Sequence, residues 1–288
     1  MDAVALLIQV LNGVQYGLLL FLIASGLTLV FGIMGVLNLA HGSFYMLGAY
    51  LALSFTQMTG DLFLAILLGI PVALAVGFLF ERLFISRLYA RDHLDQVLLT
   101  FGVILILNEA QSIIWGDDAH GVPAPHWLQA SIPLTDTLSY PVYRLFVAGF
   151  CLLLALAMGL LIRRTRLGMM IRAGESNREM VEALGINIRL LYAVVFAAGI
   201  SLAALAGMLA APIESVYPGI GEQVLIVSFV VVVIGGIGSI KGAFFGSLAI
   251  GLTQVFGQVL IPSFSGVAIY ALMALVLLWR PAGLFGRG

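Results

Sequence analysis

Apolar runs alternate with short polar breaks along the whole chain, at roughly 6–31, 42–58, 62–80, 96–115, 143–162, 190–211, 223–237, 242–261 and 265–279. A helix needs about 20 residues to cross the hydrocarbon core of a bilayer. Most of the runs reach that length. The stretches 223–237 and 265–279 fall short, which is tolerable where other helices surround a segment and satisfy its ends. The pattern predicts an all-α polytopic membrane protein of about nine transmembrane segments, some short or broken, in a single transmembrane domain over 1–288. The first run does not read as a removable leader: it opens on Asp2 rather than a basic stretch, is too long, and continues without a cleavage-like site.

The polar breaks set the expected orientation. Residues 81–95 carry Arg82, Arg87 and Arg91, residues 163–191 carry six arginines, and the tail carries Arg280 and Arg287. Residues 116–142 carry Asp117, Asp118 and Asp136 and no Lys or Arg. Positive loops stay in the cytoplasm. Nine segments with the N-terminus outside and the C-terminus inside satisfy all of these breaks. Trp115 and Trp279 then fall at helix ends, where interfacial indoles are expected. The outer loop holds Pro123, Pro125, Pro133 and Pro141 and reads as ordered turns.

The two halves of the chain suggest an inverted repeat. GIMGVLNLAHGS precedes segment two and PIESVYPGIGEQ precedes segment seven, with Gly42 and Gly221 in matching places, each opening an apolar run. Segment one runs inward and segment six outward, so four segments counted from each would be related by inversion, a common transporter plan with the path at the repeat interface.

The longest polar break, 163–191, predicts a short helix of its own. Ser176 followed by Glu179 is a capping-box pattern, and Gly185 suits the left-handed turn that ends many helices. Between them Met180, Val181 and Leu184 fall on one face. Two turns of helix are unstable alone in water, so that face needs a receiver: either the rest of this chain or a docked cytoplasmic partner.

Composition agrees with the pattern: 62% of the 288 residues are hydrophobic and 9% charged, against roughly a quarter charged in soluble domains. A net charge of −1 and no basic–aromatic cluster give no reason to expect nucleic acid. Cys151 stands alone in an apolar run, so neither a disulfide framework nor a cysteine metal site is expected. The run from Gly236 through Lys241 to Gly242 lacks the Gly-Lys-Ser/Thr core of a phosphate loop and reads as close helix packing. No catalytic constellation and no cofactor motif is found. Of the acidic residues, Glu109 alone lies well inside an apolar run, with Glu214 and Glu222 near outer ends and Lys241 near an inner one. An ion-coupled carrier usually keeps more charge at membrane depth. Asn38, His41, Gly42 and Ser43 cluster at the start of segment two, where a half-helix N-terminus could face an aqueous path.

Four stretches in series resemble one family. GLTLVFGIMGVLNLAHGSFYMLGAY at 26–50 and VVVVIGGIGSIKGAFFGSLAIG at 230–251 look like the two signatures of permease subunits of branched-chain amino-acid ABC importers, the LivH type. RTRLGMMIRAGESNREMVEALGIN at 164–187 is similar to that family's cytoplasmic coupling segment, and the tail from Arg280 to Gly286 to its usual ending. The resemblance implies a bacterial or archaeal cytoplasmic-membrane permease that pairs with a second, paralogous or identical permease. It implies two cytoplasmic ATPase subunits beneath and an extracytoplasmic binding protein that delivers the substrate. In that picture Asn38, His41, Gly42 and Ser43 lie near the path. The coupling segment contributes Glu175, Ser176, Glu179, Met180, Val181, Ala183, Leu184 and Gly185. The run Glu182-Ala183-Leu184-Gly185 matches the Glu-Ala-Ala…Gly pattern of other importer permeases only in part. Two other readings stay open from sequence: a stand-alone secondary carrier, and an ABC permease for urea or short amides. A passive channel has no use for the 163–191 segment.

Overall fold

The computed structural model describes residues 3–89, 91–135 and 138–286. Asp2, Asp136 and Arg287, which entered the charge argument, lie outside the described residues. Among the described residues there are eleven α-helices: α1 Ala3–Met34, α2 His41–Thr59, α3 Leu62–Leu83, α4 His93–Trp115, α5 Val142–Arg164, α6 Arg166–Ser176, α7 Arg178–Ala183, α8 Ile188–Ala210, α9 Ile220–Gly235, α10 Ile240–Leu260 and α11 Ser265–Trp279. Each of the nine apolar runs falls on one of them, and α6 and α7 occupy the long polar break. Among the described residues seven helices are long and apolar enough to cross a membrane, and α9, at 16 residues, is a shorter apolar helix. The chain is an all-α polytopic membrane protein. Among the described residues the regular β structure is a two-stranded antiparallel hairpin in the proline-rich loop, β1 Ser131–Pro133 with β2 Ser139–Pro141, beside an isolated bridge between His120 and Val216.

Helices α1 and α8 form the centre. Both are apolar on all sides, and a helix of that kind is stable only when surrounded. Leu20, Phe21, Leu22 and Ala24 of α1 and Phe196, Ile200 and Ala203 of α8 are fully buried. Without a hydrophobic drive in lipid, such helices hold by close van der Waals approach at small residues. A Cβ built on Gly26 would stand 2.5 Å from the Gly199 carbonyl oxygen, and one on Gly199 3.0 Å from that of Gly26. Similar approaches join α1 to α10 at Gly17 and Gly251, and α2 to α8 at Gly48 and Gly207. The outer helices are apolar but bare. Ile106 and Ile113 of α4, Leu153, Leu156 and Leu160 of α5 and Leu278 of α11 are exposed. Such surface is costly in water and costless against lipid tails.

The link from α1 to α2 is what positions the first candidate site. Gly35 takes φ +65°, and the chain then runs back into the protein, with Val36, Asn38 and Ala40 wholly buried. His41, the first residue of α2, pairs through Nε2 with the Ile23 carbonyl at 3.0 Å. Ile23 lies about 16 Å along α1 from its end at Met34, at 1.5 Å per residue, and the intervening 35–40 stretch is long enough to span that. Helix α2 therefore starts inside the bundle. The start of α9 meets it there: a Cβ on Gly42 would stand 2.0 Å from the Gly221 carbonyl oxygen, and one on Gly221 2.4 Å from that of Gly42. Irregular backbone at this depth is stable because protein encloses it.

Candidate functional site

The first signature is closed. Asn38, His41, Gly42 and Ser43 are all buried and share the point where the starts of α2 and α9 touch. The Asn38 Oδ1 accepts from the Ala40 amide at 3.1 Å, holding the turn into α2. Asn38 Nδ2 and His41 Nδ1 have no hydrogen-bond partner among the described residues. Among the described residues, all four are enclosed by protein. They form the packed middle of the molecule rather than an open wall.

The 163–191 segment differs in detail from the sequence expectation. Ser176 does not cap the short helix. It is the last residue of α6, an eleven-residue helix that sequence reading missed. Thr165 starts α6 by accepting from the Gly168 amide at 3.1 Å. Asn177, in extended conformation, closes α6 and opens α7, its Oδ1 accepting from the Met180 amide at 2.9 Å. Glu179 sits in the first turn of α7, where a negative charge suits the helix dipole. The C-terminal reading holds. Gly185 takes φ +82°, its amide bonds the Glu182 carbonyl at 2.9 Å, and the Ile186 amide reaches Val181 at 3.3 Å. This is a Schellman ending.

The apolar face of α7 is divided. Val181 is 3% exposed and packs with Leu29, Ile33, Ile171, Ile188, Leu191, Tyr192 and Val195, so it is received by its own protein. Met180 and Leu184 point the other way, 58% and 72% exposed. Ser176, Ala183 and Gly185 are also exposed, and Glu175 is half-buried on α6 beside Gly238 of the second signature. The face expected to await a partner is two residues rather than three.

A second anchor lies at the same end of the molecule. Glu81, at the end of α3, is 1% exposed. One carboxylate oxygen accepts from the Tyr89 hydroxyl, and the other lies 4.0 Å from Arg82 Nε. Burial, and then the carboxylate, raise the Tyr89 hydroxyl above the ordinary tyrosine range. The Tyr89 ring stands edge-on to Tyr192 of α8 at 5.2 Å. Arg178, the first residue of α7, lies over Tyr192 at 5.3 Å and Tyr89 at 6.0 Å. The short helix is thus fixed to the ends of α3 and α8 by a buried carboxylate, two rings and a guanidinium. Sequence reading missed this cluster because Glu81 adjoins Arg82 and was taken as part of a polar loop. The acid singled out instead, Glu109, lies on the exposed face of α4.

The family described as branched-chain amino acid transport system, permease component, matches residues 9–277. The high-affinity branched-chain amino acid transport system permease protein BraD of Pseudomonas aeruginosa is 34% identical over 97% of this chain and 95% of its own length. The corresponding LivH protein of Escherichia coli is 31% identical over 97% and 95%. A probable LivH of Methanocaldococcus jannaschii is 28% identical over 85% and 79%. No solved structure matches the chain. With a match along nearly its whole length and relatives of this identity, the chain belongs to the family of permease components of branched-chain amino acid transport systems.

Proposed function

We propose that the chain is one of two permease subunits of an ATP-driven importer for branched-chain or related amino acids. Energy comes from two cytoplasmic ATPase subunits. A second permease, paralogous or identical, completes the path, and an extracytoplasmic binding protein delivers the substrate. The observation that carries this reading is α7: a short, doubly anchored helix whose Met180 and Leu184 have no receiver among the described residues. A helix pinned at Val181 and Arg178 transmits a push to α3 and α8, and an exposed apolar pair gives an ATPase something to hold. Glu175, Ser176, Glu179, Ala183 and Gly185 shape and orient that knob. The arginine-rich breaks support an orientation with the N-terminus outside and the C-terminus in the cytoplasm. The paired contacts Gly42–Gly221 and Gly26–Gly199 support an inverted repeat that relates α1–α4 to α8–α11. In this scheme Asn38, His41, Gly42 and Ser43 form the closed middle of the path.

The test is uptake of labelled leucine into proteoliposomes holding the complete assembly, with urea and acetamide as competitors. The reading expects uptake that needs ATP, both ATPases and the binding protein, and that valine and isoleucine inhibit. Uptake driven by an ion gradient without ATP would establish a secondary carrier instead. Competition by urea alone would move the substrate to short amides.

A further inference from the structure

Helices α5 and α10 both pack on α1, and between them lies a trough of about 730 Å³ at the same end of the molecule as α7. Along α1 its lining runs from Phe21 to Ile33, about 18 Å at 1.5 Å per residue. That is close to the hydrocarbon depth of one leaflet, about half of a 30 Å core. Thr28 apart, the α1 wall is apolar, and Ala155 of α5 and Phe244 of α10 continue it. One flank opens sideways. A Cβ added to Gly159 of α5 would meet nothing within 4 Å, and Leu156, Leu160 and Phe245 around it are exposed. Exposed apolar side chains on membrane-spanning helices are at rest against acyl chains.

Charge is confined to one end of the trough. Arg163 in the last turn of α5, Arg172 of α6 and Lys241, second residue of α10, line that lip, and all three are exposed. Among the described residues the printed ion pair is Arg82 with Glu81, so no described acid neutralises any of the three. Glu175 also lines the lip but is engaged within the protein. Counted in full, it still leaves three cations against one carboxylate. A site that is basic at one end, apolar for the depth of a leaflet and open sideways has the polarity of an anionic lipid. Basic pockets between membrane helices at the cytoplasmic side take such headgroups. A water-soluble anion would use the lip and leave the apolar length unfilled.

We propose that this trough is a binding site for one anionic phospholipid. Its phosphate lies at Arg163 and Lys241, and an acyl chain runs along α1, with Gly159 leaving the gap through which the lipid enters. The charge and depth arguments hold whichever substrate is carried. That the lipid comes from the cytoplasmic leaflet rests on the orientation given under Proposed function.

The test is native mass spectrometry of the purified full complex, titrated with phosphatidylglycerol or with phosphatidylcholine of the same chain length. Each basic residue beside an anionic headgroup is worth roughly fivefold in binding. Phosphatidylglycerol should therefore bind about tenfold tighter or more, and Arg163→Gln with Lys241→Gln should abolish most of that preference. Arg91→Gln with Arg189→Gln removes the same charge from exposed positions outside the lining and should keep it. Gly159→Phe, which enters open space, should weaken both lipids severalfold. Equal binding of the two lipids by the wild type, or equal losses in the two double variants, would overturn the proposal. Benzoylphenylalanine in place of Gly159 reports what covers the opening in intact membranes. Light should join it to phospholipid; joining to another permease subunit would show that protein fills the gap and would also overturn the site. Lipid binding by the solubilised complex is read without regard to orientation, so its failure sinks the site alone. Thiol labelling that contradicts the orientation would instead move the lipid to the other leaflet and leave the site standing.

Discussion

Gly42 and Gly221 meet backbone to backbone, with no flexible side chain that could yield between them. A methyl at Gly42 would stand 2.0 Å from a carbonyl oxygen and 2.8 Å from Leu225 Cβ. Overpacking of this kind costs about 1–3 kcal/mol. Gly42→Ala should lower the unfolding temperature of the purified protein by several degrees, and Gly42→Leu should abolish uptake. Gly102→Ala is the control, since nothing lies within 4 Å of its added methyl and alanine favours helix by about 1 kcal/mol; it should unfold no earlier than wild type. Equal unfolding temperatures for the two alanine variants would remove the close-packing role. Glu81 offers a second residue-scale test. Tyr89→Phe strips a buried carboxylate of its hydroxyl partner, at about 1–3 kcal/mol. Adding Glu81→Leu should restore much of that loss, because removing both partners leaves no unsatisfied charge. A double variant less stable than Tyr89→Phe alone would show that Glu81 is held by something other than Tyr89.

At the scale of elements, the helices of 163–191 separate two kinds of apolar side chain. Val181→Asp buries a charge among Ile171, Ile188 and Leu191, so it should reduce the amount of folded permease in the membrane. Met180→Asp with Leu184→Asp alters only exposed positions and should leave that amount unchanged. Immunoblots of washed membranes decide it, and equal losses in both variants would erase the distinction. The same region marks how far the sequence could be read. Nine apolar runs were legible because lipid demands long uninterrupted apolar stretches. Gly185 was legible because a left-handed residue after a short helix favours glycine. Ser176 was misread because the capping-box spacing occurs one residue before Asn177, which has the same chemistry and takes the cap. Helix α6 was missed although its residues alternate apolar and polar at helical spacing after Thr165, because the capping-box reading placed the only helix start at Ser176. Val181 could not be told from Met180 and Leu184 by spacing, since only the position of α8 decides which of three neighbours turns inward.

At the scale of the molecule, orientation and docking are one question, because α7 can reach an ATPase only from the cytoplasm. Ala119 and Leu184 are both exposed, and Cys151 is buried. In a Cys151→Ala background, Ala119→Cys should react with an impermeant thiol reagent from outside the cell and Leu184→Cys only in inside-out vesicles. Labelling of both from one side would refute the nine-segment topology.

Docking itself is measured most directly by what stays on the permease when it is purified. Two exposed apolar side chains buried in a partner's groove contribute on the order of 1.5–3 kcal/mol each, and nearby arginines add steering more than affinity. The tagged Met180→Asp, Leu184→Asp variant, expressed with its ATPases and extracted in mild detergent, should reach the membrane at the wild-type level. It should retain less than a tenth of the wild-type amount of ATPase and show no ATP-driven uptake. ATPase retained at the wild-type ratio, with uptake intact, would contradict the account.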